Sequence, residues 1–67
     1  MTRFEKSIYN YVEQHNGTAS AQDIGSALNV AKYSNKAEQE IVKITIERMI
    51  NNGVAIECNK NGYRVKL

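Results

Sequence analysis

The side chains able to do chemistry are few and scattered. His15 stands alone near the end of an amphipathic stretch, with no Cys, Asp or His at ligand spacing around it. Its reading is a polar residue interacting favourably with a helix C-terminus. Cys58 is the single cysteine and alternates with Ile56, so it is expected to face inward as a small buried hydrophobe. One cysteine leaves no partner within the chain for a disulfide or a multi-cysteine zinc site, and a free thiol fits a reducing compartment. No Gly-rich phosphate loop, inward pair of carboxylates or hydrolase elbow occurs. The expectation is a protein with no catalysis, no cofactor, no metal and no small-molecule ligand.

The stronger signal is basic and lies in two places. Lys60, Arg64 and Lys66 fall in the last nine residues, which carry no acid. Lys32, Tyr33, Ser34, Asn35 and Lys36 form a second polar and basic group, placed just ahead of a helix. Helix N-termini favour phosphate, so Lys32, Ser34 and Lys36 suit backbone anchoring. The plain alternatives are a solvated strand face, with the terminal cations pairing with Glu57, and an ordinary polar loop. Tyr9, Tyr11, Tyr33 and Tyr63 are too spread out for the stacking platform that single-stranded nucleic acid needs.

These groups must be positioned by one small domain. The chain has 67 residues, 42% of them apolar, with no proline and a net charge of +2. A core of that size is small and leaves no room for a scaffold plus a catalytic cleft. The charge is too weak to define a polyanionic partner by itself, but it is polarised, since Glu38, Glu40 and Glu47 cluster mid-chain. Apolar runs reach only two or three residues, so no membrane partner is expected. Residues 1–5 lack the apolar core of a secretory signal. A soluble, cytoplasmic protein is the expectation.

Thr2 to Glu5 has capping-box form, followed by Phe4, Ile8, Tyr11 and Val12 at helical spacing, and Asn16-Gly17 stops the run. This predicts a helix over 3–15. Thr18-Ala19 is a short extended link with room for a third short strand. Ser20 caps a helix over 21–28, lined by Ala21, Ile24 and Leu28. After a polar connection over 30–36, Ser34 or Asn35 caps a helix over 36–51, ended by Asn52-Gly53. Its core stripe is Val42, Ile46, Met49 and Ile50. A hairpin over 54–67 closes the chain. Asn61-Gly62 marks its tip. A two-residue turn pairs Cys58 with Val65; a four-residue loop, 59–62, pairs Cys58 with Tyr63 and Glu57 with Arg64. Either register leaves the apolar residues on one face.

The third helix has two further features. At about 100° per residue, Glu40, Lys43, Glu47 and Asn51 fall together, away from the core stripe. Ala37, Ile41 and Ile44 form a second apolar stripe, continued by Arg48. Either the first helix or the 30–36 connection covers that stripe, or it is a protein-contact patch for self-association or another partner.

The order is three helices, then a hairpin: mainly α with a small β-hairpin. This layout resembles the winged helix-turn-helix family, and the likeness spans nearly the whole chain. "TASAQDIGSALNV" is similar to the family's entry strand and positioning helix, "EIVKITIERMINNGVA" to its recognition helix, and the terminal hairpin to its wing. The resemblance implies double-stranded DNA as partner and a role in transcription regulation, of phage or plasmid type. The third helix would enter the major groove with Glu40, Lys43, Ile44 and Glu47 near base edges. Lys32, Ser34, Lys36, Lys60, Arg64 and Lys66 would hold phosphates. A chain this small is then expected to bind as a homodimer. The 30–36 connection is longer than the tight turn usual in bacterial regulators, and Lys32 and Lys36 would let it touch DNA. Glu40 and Glu47 would be repelled by phosphates, though Glu can accept from a cytosine amino group. They favour the alternative, a protein-binding module that uses the acidic and apolar face of the third helix: Glu40, Glu47, Ala37, Ile41, Ile44 and Arg48.

Overall fold

The computed structural model describes residues 1–28 and 35–66, and for 35–38 the backbone alone. Five elements follow in order: α1 (Arg3–Gln14), α2 (Ala21–Ala27), α3 (Asn35–Asn51), β1 (Ile56–Asn59) and β2 (Gly62–Val65). The fold is mainly helical, with one two-stranded antiparallel hairpin. Helix ends lie within a residue of the expected ones, and the strands begin two residues later than the predicted hairpin.

Helices α1 and α2 start on their predicted caps; of the two expected for α3, Asn35 is the first helical residue and Ser34 lies outside the described residues. The Thr2 hydroxyl accepts from Glu5 N–H at 3.1 Å, and the Glu5 carboxylate accepts from Thr2 N–H at 2.8 Å. Both partners of the capping box are therefore present, and two otherwise orphaned donors are satisfied. Ser20 Oγ accepts from Asp23 N–H at 3.1 Å and starts α2. Helix α3 ends in a Schellman motif. Val54 N–H donates to Met49 C=O at 2.9 Å and Gly53 N–H to Ile50 C=O at 3.0 Å. Gly53 takes φ +90°, a conformation a side chain would oppose.

Three helices and the base of the hairpin meet in one core. Ile8 and Val12 of α1, Ile24 of α2, and Val42, Ile46 and Met49 of α3 are fully or almost fully buried, and Ile56 and Val65 join them from the strands. Phe4, Tyr9, Tyr11, Leu28 and Tyr63 sit at the margin, half-buried. Ile50, expected in the core stripe, is 40% exposed. It lies about 80° round the helix from Val42, beyond the arc that the other elements cover. Buried Thr45 fills the opposite edge of that arc, its hydroxyl donating to Ile41 C=O at 2.7 Å.

The strand register pairs Ile56 with Val65, Glu57 with Arg64, Cys58 with Tyr63 and Asn59 with Gly62. This is the register of the longer loop, closed one pair further, so that Lys60 and Asn61 alone make the turn. Asn61 N–H donates to Asn59 Oδ1 at 2.9 Å, an Asx turn that stabilises it. Gly62 is therefore a strand residue, at φ +146°, and a Cβ there would lie 2.7 Å from Ala19 C=O. That close approach is the third-strand interaction. Tyr63 N–H donates to Ala19 C=O at 2.8 Å and Gly17 N–H to Tyr63 C=O at 3.1 Å. It amounts to one bridge, Ala19 to Tyr63, rather than a strand. Asn16 Oδ1 extends the join by accepting from Val65 N–H at 2.7 Å.

Cys58 corrects an expectation. It is exposed, although it shares a strand face with buried Ile56. The core ends beneath the Ile56–Val65 pair. The next pair outward, Cys58 and Tyr63, projects past it, and only the larger ring of Tyr63 remains half-buried.

Candidate functional site

The outward face of α3 gathers five of the residues singled out from the sequence. Glu40, Ile41, Lys43, Ile44 and Glu47 are all exposed, with Ile41 at 39% and Ile44 at 58%. The packing of Val42, Ile46 and Met49 inward forces this, because residues about half a turn away must face out. Among the described residues no element buries Ile44, and most of the 30–36 connection, the other expected cover, lies outside them. Lys36 and Ala37 belong to the first turn of α3, with side chains outside the described residues. Lys32 and Ser34 lie outside the described residues altogether.

Arg48 continues the stripe. Its Nε lies 4.0 Å from Glu5 Oε2, with 63% of the Arg48 side chain exposed and 11% of that of Glu5. Glu5 thus closes the cap of α1 and leans toward α3. Its carboxyl is held below the ordinary value, chiefly by the bond from Thr2 N–H, while burial opposes this. The Thr2 hydroxyl, the Arg48 guanidinium and the N-terminal ammonium add smaller lowering effects.

The hairpin supplies the second part. Lys60 is exposed in the two-residue turn, and Arg64 and Lys66 are exposed along β2 and just past it. Arg64 is not free. Its Nε donates to Glu57 Oε1 across the register pair that joins them. Such an exposed pair contributes little stability, yet it cancels one of the hairpin's cations. Lys66 donates its backbone N–H to Ala55 C=O at 2.8 Å, which fixes the chain just past β2. Among the described residues the ion pairs are Arg48–Glu5 and Arg64–Glu57, so Lys43, Lys60 and Lys66, like Arg3 and Lys6 on α1, pair with no described acid.

The two parts are neighbours. The Tyr63 phenol is pushed above its ordinary range by burial first, then by the fields of Cys58 and of Glu47. Helix α3 packs against β1 at the base of the hairpin, which sets the two parts side by side. On the opposite flank of the hairpin, Asn16, Glu57, Arg64, Val65 and Lys66 line an open depression of 310 Å³. Its wall mixes one uncompensated cation with a satisfied ion pair.

Some participants had no visible signal. Asn16 reads as a helix stop in the sequence, and its long-range bond to Val65 leaves no local trace. Glu5 reads as a cap, and its lean toward Arg48 depends on how α1 crosses α3. His15 is the C-cap of α1, at the helix end expected for it, and its ring stacks on Tyr11, with centroids 4.3 Å apart and planes at 29°. Among the described residues no three His, Cys, Asp or Glu side chains form a group able to hold a metal, and no helix is long and apolar enough to cross a membrane.

Comparison with protein-family models, with curated proteins and with solved structures found no match to this chain. Its function must be argued from its own residues.

Proposed function

We propose that the chain is a winged-helix protein that binds double-stranded DNA without catalysis and acts as a small transcriptional regulator. The observation that carries this reading is the juxtaposition of an outward α3 face with a hairpin bearing uncompensated lysines. Helix α3 supplies Glu40, Lys43, Ile44 and Glu47 to the major groove. Lys43 reaches phosphate or a guanine edge, Ile44 offers an apolar contact to thymine methyls, and the carboxylates accept from cytosine amino groups. Lys60 and Lys66 hold phosphates from the wing, while Arg64 contributes only if it leaves Glu57. Lys32, Ser34 and Lys36 complete the backbone contacts in this reading.

The contacts are few, and the affinity is accordingly modest and carried by charge. Neutralisation of two to three phosphates by Lys43, Lys60 and Lys66 alone makes log affinity fall against log salt with a slope of about −2 to −3, and Lys32 and Lys36 steepen it. Titration of labelled random duplex DNA at two salt concentrations tests this. Measurable binding at low salt that weakens at that slope or more steeply supports the reading, and no binding at low salt overturns it.

A protein partner is the second reading, and one observation favours it. Ile41 and Ile44 put exposed apolar surface between two carboxylates, Glu40 and Glu47, that pair with no cation among the described residues. Polyanions select against such a face, whereas a protein surface with apolar and basic groups complements it.

A further inference from the structure

The outward face of α3 has an internal symmetry. Glu40, Ile44 and Arg48 stand at successive i, i+4 positions and form a single ridge along the helix, exposed at all three places. Glu40 lies four residues before Ile44 and Arg48 four residues after it. An acid and a base thus flank the most exposed isoleucine at equal distance, about 6 Å along the axis on each side. A two-fold axis through Ile44, perpendicular to α3, would turn the helix end for end. It would bring each Glu40 level with the Arg48 of the second copy, twice over, and Ile44 onto Ile44. Ile41 and Glu47, three residues to either side, become partners too, and the Glu methylenes can cover the isoleucine.

We propose that the occupant of this face is a second copy of the chain, docked antiparallel through the Glu40–Ile44–Arg48 ridge. Charge complementarity selects it, since an isologous contact requires a patch that complements itself. The Arg48–Glu5 contact does not compete strongly. At 4.0 Å and with 63% of the Arg48 side chain exposed, it leaves the guanidinium able to take a second carboxylate. One helix against its twin buries less than a standard interface, so the dimer is weak and concentration-dependent. The self-association stands on the ridge alone. A further consequence rests on the DNA reading: Glu40 and Ile44 belong to both surfaces, so the dimer and the DNA complex exclude each other, and self-association limits DNA binding at high protein concentration.

Sedimentation velocity over a range of protein concentrations tests the dimer. The wild type should pass from monomer to dimer as concentration rises, and Ile44→Asp should remain monomeric. Glu40→Arg and Arg48→Glu, each placing like charges together twice, should each weaken the dimer by at least about tenfold. The combined Glu40→Arg/Arg48→Glu protein should regain the dimer, because the pairs re-form with reversed polarity. All the altered residues are exposed, and circular dichroism of each variant checks that it folds. A wild type that stays monomeric throughout overturns the proposal, whatever the variants do. So does a dimer indifferent to Ile44→Asp, or a double reversal no better than the singles. Adding duplex DNA separates the two claims. A dimer that ignores DNA leaves this proposal standing and removes the DNA reading, and a DNA-binding protein that never dimerises does the reverse.

Discussion

Glu5 shows how much one residue can carry in a small core. It closes the cap of α1 and sits beside Arg48 of α3. Its carboxyl is held below its ordinary 4.5, first by Thr2 N–H. A lowered value means that the folded state binds the proton less tightly than the unfolded chain. The stabilisation is then full above 4.5 and is lost as pH falls through the folded value. Wild-type melting temperature should therefore drop more between about pH 7 and pH 3 than that of Glu5→Gln, which has no such proton to take up. Equal drops would contradict the role given to this carboxylate. Thr2→Ala removes the other half of the box and should lower stability by about 1 kcal/mol in urea unfolding. On the hairpin, Lys60→Ala and Lys66→Ala should each weaken DNA binding for every sequence alike and make the salt slope shallower by about 1. Arg64→Ala should weaken it less, since Glu57 already holds that cation.

The elements differ in how openly the sequence declares them. Caps and stops are local chemistry, and Thr2, Ser20, Gly17 and Gly53 mark the helix ends to within a residue. The hairpin was harder. Asn61-Gly62 is a turn signal, but Gly62 is needed for another reason, the approach of Ala19 C=O, which is invisible before the link and β2 meet. That difference is measurable. Gly62→Ala meets backbone at 2.7 Å and should destabilise by about 2 kcal/mol or more, whereas Gly53→Ala meets nothing within 4 Å and should cost about 1 kcal/mol, from its positive φ alone. Comparable losses by chemical unfolding would show that Gly62 serves only the turn. Period-2 alternation put Cys58 inward, yet alternation gives the face of a strand and not where the core beneath it ends. The same limit applies to Ile50. A helical stripe names a direction, and the width of the covered arc depends on neighbours that the stripe does not encode. The outward Glu40, Lys43 and Glu47 were legible for the converse reason, since a firm core stripe defines what lies opposite it. Met49, fully buried between helices and hairpin, belongs to the firm part, and Met49→Ala should cost about 2–5 kcal/mol by leaving a cavity.

At the scale of the molecule, three helices hold one exposed helical face next to one small hairpin. The net charge of +2 is slight, and ion pairing at Arg64 and Arg48 withdraws part of the positive charge from the outer surface. On α3 and the hairpin, the exposed cations outside those pairs are Lys43, Lys60 and Lys66, and α3 adds two carboxylates and two exposed isoleucines. In the proposed reading, α3 itself decides between DNA and a protein. Equilibrium titration of the intact chain against random duplex DNA, at about 20 mM and about 200 mM salt, tests the central claim most directly. A DNA-binding chain should bind at the lower salt and weaken by roughly a hundredfold or more at the higher. Absence of binding at the lower salt would contradict that claim, and would leave the face of α3 to a protein.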